Sequence, residues 1–405
     1  MPLLETKDNS FSWIDERFGV PYHSRRGAWT ESHHVYLTRG WETAWTAYQA
    51  ELDPQDPAPF FALELGYGTG LNAALVAHWM EENAPESQYV YHSLEKHPLS
   101  PKDEASYWDA LVRVRPAALL LRDALRRARE SHCVRMVHTD ALAWFASEDA
   151  QKLPKFQLFL YDAFAPASQP ELWTTSVWQA LYQRAAPRAL WVSYCAKSSV
   201  IQGLKTAGWH PERLPGPPGK RQMLRAWTPG PGRRWVERVY GLLLWDGRVL
   251  VSRERFRGRE LVKFPGGGME PGEDAPTALK REWIEELNFP VNVGARWGSA
   301  PHPVSSAFDP AADVLVHYYT VKPQNKLYSE VPVQAWGCPL PEGAHNVEQC
   351  SWVAMDGVTV SSSNSPIYSS NASRSESLPF FGFVTMAFKR EIKVFDSAGG
   401  AFPDG

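Results

Sequence analysis

The stretch GGMEPGEDAPTALKREWIEELNF, from Gly267 to Phe289, constrains the fold of its region more than any other part of the sequence. Its consecutive glycines and its Pro-Gly pair predict a tight loop with exposed backbone, because glycine adopts conformations that other residues avoid. Asp274 and Pro276 are typical of the N-cap and first turn of a helix, and the pattern from Ala278 to Leu287 is helical. We therefore expect a glycine-rich loop that leads directly into a helix.

Carboxylates crowd one face of this predicted helix. Glu282, Glu285 and Glu286 fall at positions i, i+3 and i+4. Like charges at this spacing are destabilising unless a cation lies between them, and clustered oxygen ligands suit Mg²⁺ or Mn²⁺. Arg281 and Glu273 could form an ion pair that holds the loop against the helix. Three glutamates alone would also fit a solvated acidic face, but the loop, Glu273 and Arg281 together favour a metal site.

The same stretch resembles the Nudix box, Gly-x5-Glu-x7-Arg-Glu-U-x-Glu-Glu-x-Gly-U, in which U is a bulky apolar residue. The matching residues are Gly267, Glu273, Arg281, Glu282, Trp283, Glu285, Glu286 and Phe289. Asn288 replaces the glycine, and asparagine tolerates the left-handed conformation that a helix C-terminus often needs. The resemblance implies that a nucleoside diphosphate linked to another moiety is hydrolysed. In that reaction Glu282, Glu285 and Glu286 would hold Mg²⁺ (or Mn²⁺) and activate water, while Gly267, Glu273 and Arg281 would be structural.

The segments on either side of the box agree with a Nudix α/β/α sandwich over residues 236–395, followed by a C-terminal tail over 396–405. Two apolar runs flank Asp246-Gly247 and predict a hairpin, and DVLVHYYTVKP predicts a further strand of a mixed sheet. The substrate would be a nucleotide-type small molecule. Residues 299–313 and 358–377 are either candidate loops for selecting it or ordinary surface or disordered loops, and the second alternative is favoured for the serine-rich segment 358–377. Glu348 is either a further metal ligand or an ordinary surface residue.

Length and composition limit the rest of the chain. At 405 residues, 44% hydrophobic residues and a net charge of −3, it is long enough for two domains and at most three. It has no apolar run of 18 residues and no signal-peptide pattern, so we expect a cytoplasmic protein without membrane insertion. The four cysteines lack Cys-x-x-Cys spacing, which argues against a zinc site or a disulfide framework. Glycine and proline accumulate between the two halves and predict a linker at 229–235, after a first domain at 1–228.

The first domain contains the phrase FFALELGYGTGLNAALVAHW. It predicts a strand, a turn at Gly66, Gly68 and Gly70, and then a helix, so that a ligand can approach the backbone of the turn. Leu71 occupies the third glycine position of the dinucleotide fingerprint, which disfavours a dehydrogenase. With Glu64 ahead of the turn, the phrase resembles the first motif of Rossmann-like S-adenosylmethionine-dependent methyltransferases.

Acidic residues follow three further predicted strands of this domain, at Glu95, Asp140 and Asp162. The carboxyl ends of parallel strands line the ligand crevice of a doubly wound sheet. Each acid alone could be a helix cap, but together with the glycine turn they indicate a nucleotide site. In such a site Glu64, Gly66, Gly68 and Gly70 would bind the cofactor with Glu95 at its ribose and Asp140 at its adenine.

Residues 10–228 resemble the methyltransferase half of the bacterial bifunctional MnmC family, which makes 5-methylaminomethyluridine in tRNA. The resemblance rests on YHSRRGAWTESHHVYL, ELGYGTGLN, LEKHPLS, YDAFAPASQPELWT and PGPPGKRQML. It implies methyl transfer from S-adenosylmethionine to the 5-aminomethyl group of the wobble uridine. Members of this family commonly continue into a flavin-dependent oxidase domain. A Nudix-like sequence follows instead in this chain, so no FAD is expected.

The resemblance also suggests roles for individual residues. Asp162 would hold the amine and take or relay its proton, or else cap the following turn. Phe164 and Trp173 would wall in the uracil or belong to the core. Lys220 and Arg221, in a region where Lys and Arg outnumber Asp and Glu, would contact tRNA phosphate. An alternative keeps only one domain catalytic, the other being a tRNA- or nucleotide-binding module. The oligomeric state stays open.

Overall fold

The computed structural model describes residues 3–52, 58–256, 259–306, 309–335 and 348–354. The chain divides into two compact units, Met1–Gly232 and Arg233–Gly405. This division falls inside the segment 229–235 that composition singles out as a linker. The candidate substrate loop at 358–377 and the tail at 396–405 lie outside the described residues.

The first unit begins with a small antiparallel sheet and a long helical run. The sheet contains β1 (Leu3–Glu5), β2 (Phe11–Asp15) and β3 (Val20–Pro21). The helical run consists of α1 (Ala28–Glu31), a π-helical segment (Ser32–Trp41) and α2 (Glu42–Gln49). A π-helix is rare and often occurs at functional sites. Here it buries Tyr36, whose hydroxyl donates to Asp162 in the cavity described below.

A seven-stranded sheet forms the centre of this unit, in the order β6-β5-β4-β7-β8-β10-β9. Its strands are β4 (Phe60–Leu65), β5 (Tyr89–Glu95), β6 (Val134–His138), β7 (Phe156–Tyr161), β8 (Ala185–Ser193), β9 (His210–Pro215) and β10 (Gln222–Trp227). The first five are parallel, and β10 runs antiparallel to both β8 and β9. β4 and β7 are almost wholly apolar and buried, as central parallel strands covered on both faces must be.

Helices follow most of these strands. They are α3 (Leu71–Asn83), α4 (Pro101–Val114), α5 (Ala118–Glu130), α6 (Ala141–Phe145), α7 (Glu148–Lys152), α8 (Thr175–Arg184) and α9 (Ser198–Thr206), with a 3₁₀ turn at Pro170–Leu172. From β4 the next strands along the chain, β5 and β6, are added on one side of the sheet, whereas β8 is added beside β7 on the other side. The strand order therefore reverses between β4 and β7, and ligands of doubly wound sheets bind at the carboxyl ends of the strands at such a point.

The second unit contains a mixed sheet in the order β13-β12-β11-β16-β14, with β15 paired to β16 and β17 to β12. Its elements are β11 (Arg234–Trp245), β12 (Arg248–Phe256), β13 (Arg259–Lys263), α10 (Ala275–Leu287), β14 (Val291–Ser299), β15 (Val304–Ser305), β16 (Ala312–Pro323), a 3₁₀ turn (Tyr328–Glu330) and β17 (Glu348–Ala354). The predicted hairpin is confirmed: Asp246 and Gly247 join β11 to β12 with φ values of 49° and 67°. β11 and β16 are parallel neighbours, so the sheet is mixed as expected. Within the described residues of this unit α10 is the one α-helix, so they contain one helical layer of the predicted α/β/α sandwich.

Helix α10 packs on this sheet through Trp283. The indole is fully buried in a cluster with Val239, Val321 and Phe289. Gly241 on β11 makes room for it, since a Cβ atom there would lie 2.6 Å from the indole Nε1. A residue larger than the usual aliphatic side chain is therefore accommodated by a glycine on the facing strand.

We expect Gly241→Ala to destabilise the second unit by about 1–3 kcal/mol, because the added methyl group overlaps a ring that is packed on all sides. Calorimetric unfolding of the full chain measures the change. Gly298→Ala is the matched control, since a Cβ at that strand position meets nothing within 4 Å. Equal stability of the two variants would contradict this account of the packing.

No helix in the part of the chain that the structure describes is long and apolar enough to cross a lipid bilayer. Cys133, Cys195 and Cys350 are free thiols, and Cys338 lies outside the described residues.

Candidate functional site

The glycine turn after β4 has the conformation that its composition predicts. Gly66, Gly68 and Gly70 have φ values of 94°, 54° and 77°, all in the region that favours glycine. A Cβ at Gly66 would lie 2.7 Å from the backbone oxygen of Asp162, so the turn passes directly against the end of β7. The backbone N–H of Gly68 donates to Glu95 Oε2 at 3.1 Å. The turn thus presents bare backbone at the carboxyl ends of three neighbouring strands.

A cavity opens at this end of the sheet. Of the residues predicted to bind the cofactor, Gly66, Gly68, Glu95 and Asp140 line it, as does Asp162. The other lining residues are Arg17, Tyr22, His23, Leu65, Tyr67, Leu94, Lys96, His97, Thr139, Ala141, Ala163, Phe164, Gln169, Glu171 and Leu172. The four strand ends that the sequence singled out therefore meet around one concave site.

Glu95 lies half-buried in the cavity wall. It accepts hydrogen bonds from the backbone N–H groups of Gly68 and of His97, the latter at 2.8 Å. Burial raises the pKa of Glu95, against the lowering effect of the backbone hydrogen bond from Gly68 and of the Arg17 charge. A carboxylate held in this way at the end of the second strand fits the two hydroxyls of a ribose, which need acceptors.

Asp140 sits at the rim and acts as a helix cap, the alternative that its position also allowed. Its Oδ1 accepts from the backbone N–H groups of Leu142 and Ala143 at 2.9 and 3.1 Å. Its Oδ2 forms an ion pair with Lys96 Nζ at 2.8 Å, which lowers the pKa of Asp140. Both oxygens already have partners. A contact with adenine would therefore have to share them or displace Lys96.

Asp162 is buried at the centre of the site and is held by two side chains. Tyr36 Oη donates to its Oδ1 at 2.7 Å, and Asn72 Nδ2 donates to its Oδ2 at 2.8 Å. Burial raises the pKa of Asp162 well above its usual range, although the hydrogen bond from Tyr36 opposes the shift. The charges of Glu31 and Glu64 push the pKa in the same direction as burial. A carboxyl group with a raised pKa in a cleft is a candidate proton-transfer group.

Glu64 lies behind the cavity wall and not in it, which corrects its assignment as a direct cofactor ligand. Its side chain is fully buried between α3 and β5, where it accepts from Asn72 Nδ2 at 2.9 Å and Ser93 Oγ at 2.6 Å. Burial raises the pKa of Glu64 to about 7. Asn72 donates to both Glu64 and Asp162, so it couples the two carboxyl groups. Glu64 is one residue inside the strand, where both faces of the sheet are covered.

The two aromatic residues proposed to wall in the uracil, Phe164 and Trp173, lie in different places. Phe164 lines the cavity, with its ring 5.0 Å from that of Phe18 and 5.5 Å from that of Tyr22 between centroids. Trp173 belongs to the core, where its Nε1 donates to the Phe164 carbonyl at 2.7 Å and its ring packs on Tyr161. Trp173 therefore supports Phe164 from behind.

The two residues predicted to contact tRNA, Lys220 and Arg221, also differ in their surroundings. Lys220 turns inward and forms an ion pair with Glu31, whose side chain is 4% exposed. Its ammonium group lies 4.1 Å from the centroid of the Tyr194 ring. A phosphate contact through Lys220 is not what the structure shows, because the buried carboxylate of Glu31 needs a cation. Arg221 is exposed, as a residue that contacts phosphate would have to be.

Several side chains of this site were not assigned from the sequence: His23, Glu31, Tyr36 and Asn72. The first three lie in YHSRRGAWTESHHVYL, and Asn72 ends ELGYGTGLN. Both phrases carried the family resemblance, which was the only available signal. Nothing local indicates that the segment before β4 folds over the carboxyl ends of β4 and β7.

In the second unit the predicted ion pair between Glu273 and Arg281 is confirmed. Arg281 Nε and Nη2 donate to the two oxygens of Glu273 at 2.9 and 3.0 Å. Arg281 Nη2 also donates to the Gly268 carbonyl at 2.9 Å, so one guanidinium group joins the loop to α10. This pairing lowers the pKa of Glu273 to about 2.

The ends of α10 also agree with prediction. Asp274 caps the first turn by accepting from the backbone N–H of Thr277 at 2.9 Å. Asn288 ends the helix with φ 47° and ψ 36°, the left-handed conformation for which the Nudix box uses glycine.

Two cations lie among the clustered carboxylates. Arg281 Nη1 donates to Glu282 and Glu285, both at 3.0 Å. Glu286 accepts from Lys263 Nζ and from the backbone N–H of Gly266, both at 3.0 Å. Lys263 was not singled out from the sequence, where it is one cation in the apolar run LVKF.

The carboxylate oxygens are the donors that Mg²⁺ or Mn²⁺ prefers, so the donor set fits such an ion. Their arrangement is set by Arg281 and Lys263. Across the described ranges, no three His, Cys, Asp or Glu side chains are grouped so that they could hold a metal ion. For Glu348 the structure describes only the backbone, at the start of β17.

Comparisons with known protein families match each of the two units to a different family. Residues 102–229 match a family described as S-adenosyl-L-methionine-dependent methyltransferase, and residues 236–369 match the NUDIX domain. The chain is thus an enzyme that joins a methyltransferase domain of this type to a NUDIX domain. The α/β fold class and the predicted succession of these two domain types are confirmed.

The chain is similar to curated proteins named tRNA 5-methylaminomethyl-2-thiouridine biosynthesis bifunctional protein MnmC. That of Caulobacter vibrioides is 35% identical over 234 residues, which are 54% of this chain and 39% of the relative. That of Cupriavidus necator is 30% identical over 294 residues, 65% of this chain and 42% of the relative. The match spans about two fifths of each of these relatives.

Among solved structures, MnmC2 from Aquifex aeolicus aligns with a TM-score of 0.45 and 24% identity, over 57% of this chain and 72% of that one. The MutT protein from Methanosarcina mazei aligns with a TM-score of 0.27 and 16% identity, over 40% of this chain and 99% of that one.

Proposed function

We propose that the chain is a bifunctional enzyme. Its first domain methylates the 5-aminomethyl group of the tRNA wobble uridine, with S-adenosylmethionine as the donor. Its second domain hydrolyses a nucleoside diphosphate-linked substrate with a divalent metal ion. The observation that carries the first activity is the position of Asp162, buried at the switch point of the sheet in a cavity edged by the glycine turn and Glu95.

The part of the cavity lined by the glycine turn, Glu95 and Asp140 suits S-adenosylmethionine. Gly66 and Gly68 would let the ligand lie against the backbone, and Glu95 would accept hydrogen bonds from ribose hydroxyls. Asp140 and the backbone beside it would face the adenine. When bound, S-adenosylmethionine supplies an electrophilic methyl group on a sulfonium ion.

The chain's own residues would prepare the acceptor. A primary amine attacks only as the neutral base, so the site must orient it and remove a proton. The Asp162 carboxyl is fixed by Tyr36 and Asn72 and can accept a hydrogen bond from the amine. Phe164 lines the cavity, and its ring could pack against an unstacked base there. Holding the amine close to the methyl group of S-adenosylmethionine and in line with it would supply much of the rate enhancement.

In the second domain, Glu282, Glu285 and Glu286 would hold the metal ion once it replaces Arg281 or Lys263 at their oxygens. A divalent ion in that place would neutralise charge on the pyrophosphate group. Arg281 retains a structural role through Glu273 and the Gly268 carbonyl, which keep the loop against α10.

Two assays on the full chain test these activities separately. The first incubates it with S-adenosylmethionine and tRNA bearing 5-aminomethyluridine, and nucleoside analysis should show the methylated product. The second uses ADP-ribose, dinucleoside polyphosphates, nucleoside triphosphates and nucleotide sugars with Mg²⁺, of which at least one should be hydrolysed. If one assay shows no product, the activity that it tests is excluded and the proposal for the other domain is unaffected.

One observation favours a second candidate for the NUDIX domain, a nucleotide-binding module without catalysis. Among the described residues its carboxylates pair with Arg281 and Lys263 and form no three-ligand group. Binding of a nucleotide that the chain does not hydrolyse at any Mg²⁺ or Mn²⁺ concentration would establish this alternative.

For tRNA binding, we expect Arg221→Ala to raise the Kd several-fold and to reduce its salt dependence by about one charge, with little change in kcat. The reason is that Arg221 is exposed in the loop between β9 and β10, next to Lys220, which pairs with Glu31. Filter binding at several salt concentrations measures both quantities. Arg126→Ala is the control, because Arg126 is an exposed arginine paired with Glu130 on α5. A salt slope equal to that of the unmodified chain would contradict the assignment.

A further inference from the structure

One side chain of the cavity has no role in the function proposed above. His23 follows β3, lines the cavity and is only 6% exposed. Neither of its ring nitrogens has a hydrogen-bond partner among the described residues. A buried imidazole without partners carries a cost, because buried polar atoms are normally paired. Its nitrogens are therefore available to a ligand in the cavity.

The position of His23 relative to Asp162 suggests which ligand atom that is. His23 Nδ1 lies 4.0 Å from Asp162 Oδ2, which is too far for a direct hydrogen bond. A nitrogen atom placed about 2.9 Å from both would subtend an angle of roughly 90° between them, which two N–H bonds of one amine can span. The gap between the two side chains thus has the size of one amino group.

The charges around His23 come from several elements. Glu31 on α1, Asp8 in the β1–β2 loop and Lys220 in the β9–β10 loop act on it from different sides, and Asp162 faces it after β7. Burial is the largest influence and lowers the pKa of His23. The imidazole is therefore neutral near pH 7 and can accept a proton.

We propose that His23 accepts the proton that the attacking amine must lose, while Asp162 holds that amine in place. This role rests on the proposed methylation. The ammonium group gives one proton to the imidazole, and the nitrogen lone pair then forms the N–CH₃ bond as the C–S bond of the sulfonium breaks. The product ammonium and the imidazolium then each lose a proton to solvent, so methylation that begins from the ammonium form releases two protons.

A buried histidine without hydrogen-bond partners need not have a catalytic role, and His92 is an example. His92 on β5 is also buried, at 5% exposed, and both its nitrogens lack partners among the described residues. It does not line the cavity, and its ring lies against Phe156. His92 is therefore an ordinary core histidine and supplies a matched control for the loss of a buried imidazole.

The experiment compares His23→Gln, His23→Phe and His92→Gln in the full chain. kcat for methylation of tRNA bearing 5-aminomethyluridine is measured from pH 6 to 9.5, and S-adenosylmethionine binding by calorimetry confirms that each variant is folded. We expect both His23 variants to lose about 100-fold in kcat at pH 7. Their rates should then rise steadily with pH as the free amine appears, whereas the unmodified chain and His92→Gln should level off. KM for tRNA should change little.

Two results would overturn the role of His23. If His23→Phe binds S-adenosylmethionine and keeps the kcat and pH profile of the unmodified chain, the imidazole takes no proton. A loss of activity that is the same at every pH would assign His23 to packing instead. If the unmodified chain itself forms no methylated nucleoside, the proposed methylation fails, and the role of His23 fails with it.

Discussion

Asp162→Asn should lower kcat for tRNA methylation by about 100- to 1000-fold while leaving the chain at least as stable as before. The amide keeps the shape of the carboxyl group but cannot hold a cationic amine or share its proton. It also presents an NH₂ group where Tyr36 or Asn72 donates, which disturbs one of those hydrogen bonds. Removal of an interaction with the reacting amine is expected to act on kcat.

The expected stability follows from the raised pKa of Asp162. In the folded state burial and the charges of Glu31 and Glu64 disfavour its ionised form. A carboxyl group whose folded pKa is raised stabilises the fold below its unfolded pKa, and this contribution is lost as pH rises through the folded value. Near neutral pH its ionisation in the unfolded chain therefore favours unfolding. Asn removes that penalty, which offsets the disturbed hydrogen bond, so a variant that loses activity without losing stability marks a functional residue.

The measurements are methyl transfer at saturating S-adenosylmethionine, calorimetric binding of S-adenosylmethionine, and thermal unfolding. Binding of S-adenosylmethionine should stay within a few-fold, because Gly66, Gly68 and Glu95 are unchanged. Asp109→Asn is the control, since Asp109 is an exposed acid on α4 paired with Arg122. Full activity of Asp162→Asn would exclude this carboxyl group from the reaction.

Glu285→Gln should reduce hydrolysis in the NUDIX domain by at least about 100-fold, because it removes one of the charges proposed to hold the metal ion. The fold should survive the change. Glu285 is 57% exposed, and its contact with Arg281 is one of several that this guanidinium group makes. The loop would therefore keep its position against α10.

This prediction is checked with whichever nucleotide the unmodified chain hydrolyses, at increasing Mg²⁺ or Mn²⁺. The variant should need a higher metal concentration as well as having a lower kcat. Glu270→Gln is the matched control, an exposed glutamate in the loop with no ion pair to Arg281 or Lys263 among the described contacts. If Glu285→Gln and Glu270→Gln behave alike, Glu285 is not a metal ligand.

Features that depend on a few neighbouring residues could be predicted from the sequence. The Asp246-Gly247 hairpin, the Asp274 cap, the left-handed Asn288 and the Glu273–Arg281 ion pair all appear as expected. Each is set by local backbone preference or by side chains brought close within one loop and helix. The local pattern could therefore be read directly.

Features that depend on long-range packing were misplaced or missed. Glu64 and Lys220 both belong to motifs with a functional resemblance, yet one is buried behind the cavity and the other is drawn to Glu31. Lys263 lies among the NUDIX carboxylates because β13 runs beside the loop that it precedes. Burial and distant partners decide where such charged side chains point, and no local pattern reports them.

By itself, the sequence determined that the chain has two domains, that Gly66, Gly68 and Gly70 form a turn after a strand, and that acids follow the neighbouring strands. These follow from composition, glycine conformation and the order of strands. The family resemblance already singled out Asp162 among these acids, and only the tertiary structure decided which side chains surround it. It brings Tyr36 and His23 to Asp162 because the segment before β4 folds over the carboxyl ends of the sheet, and Asn72 reaches Asp162 from the start of α3.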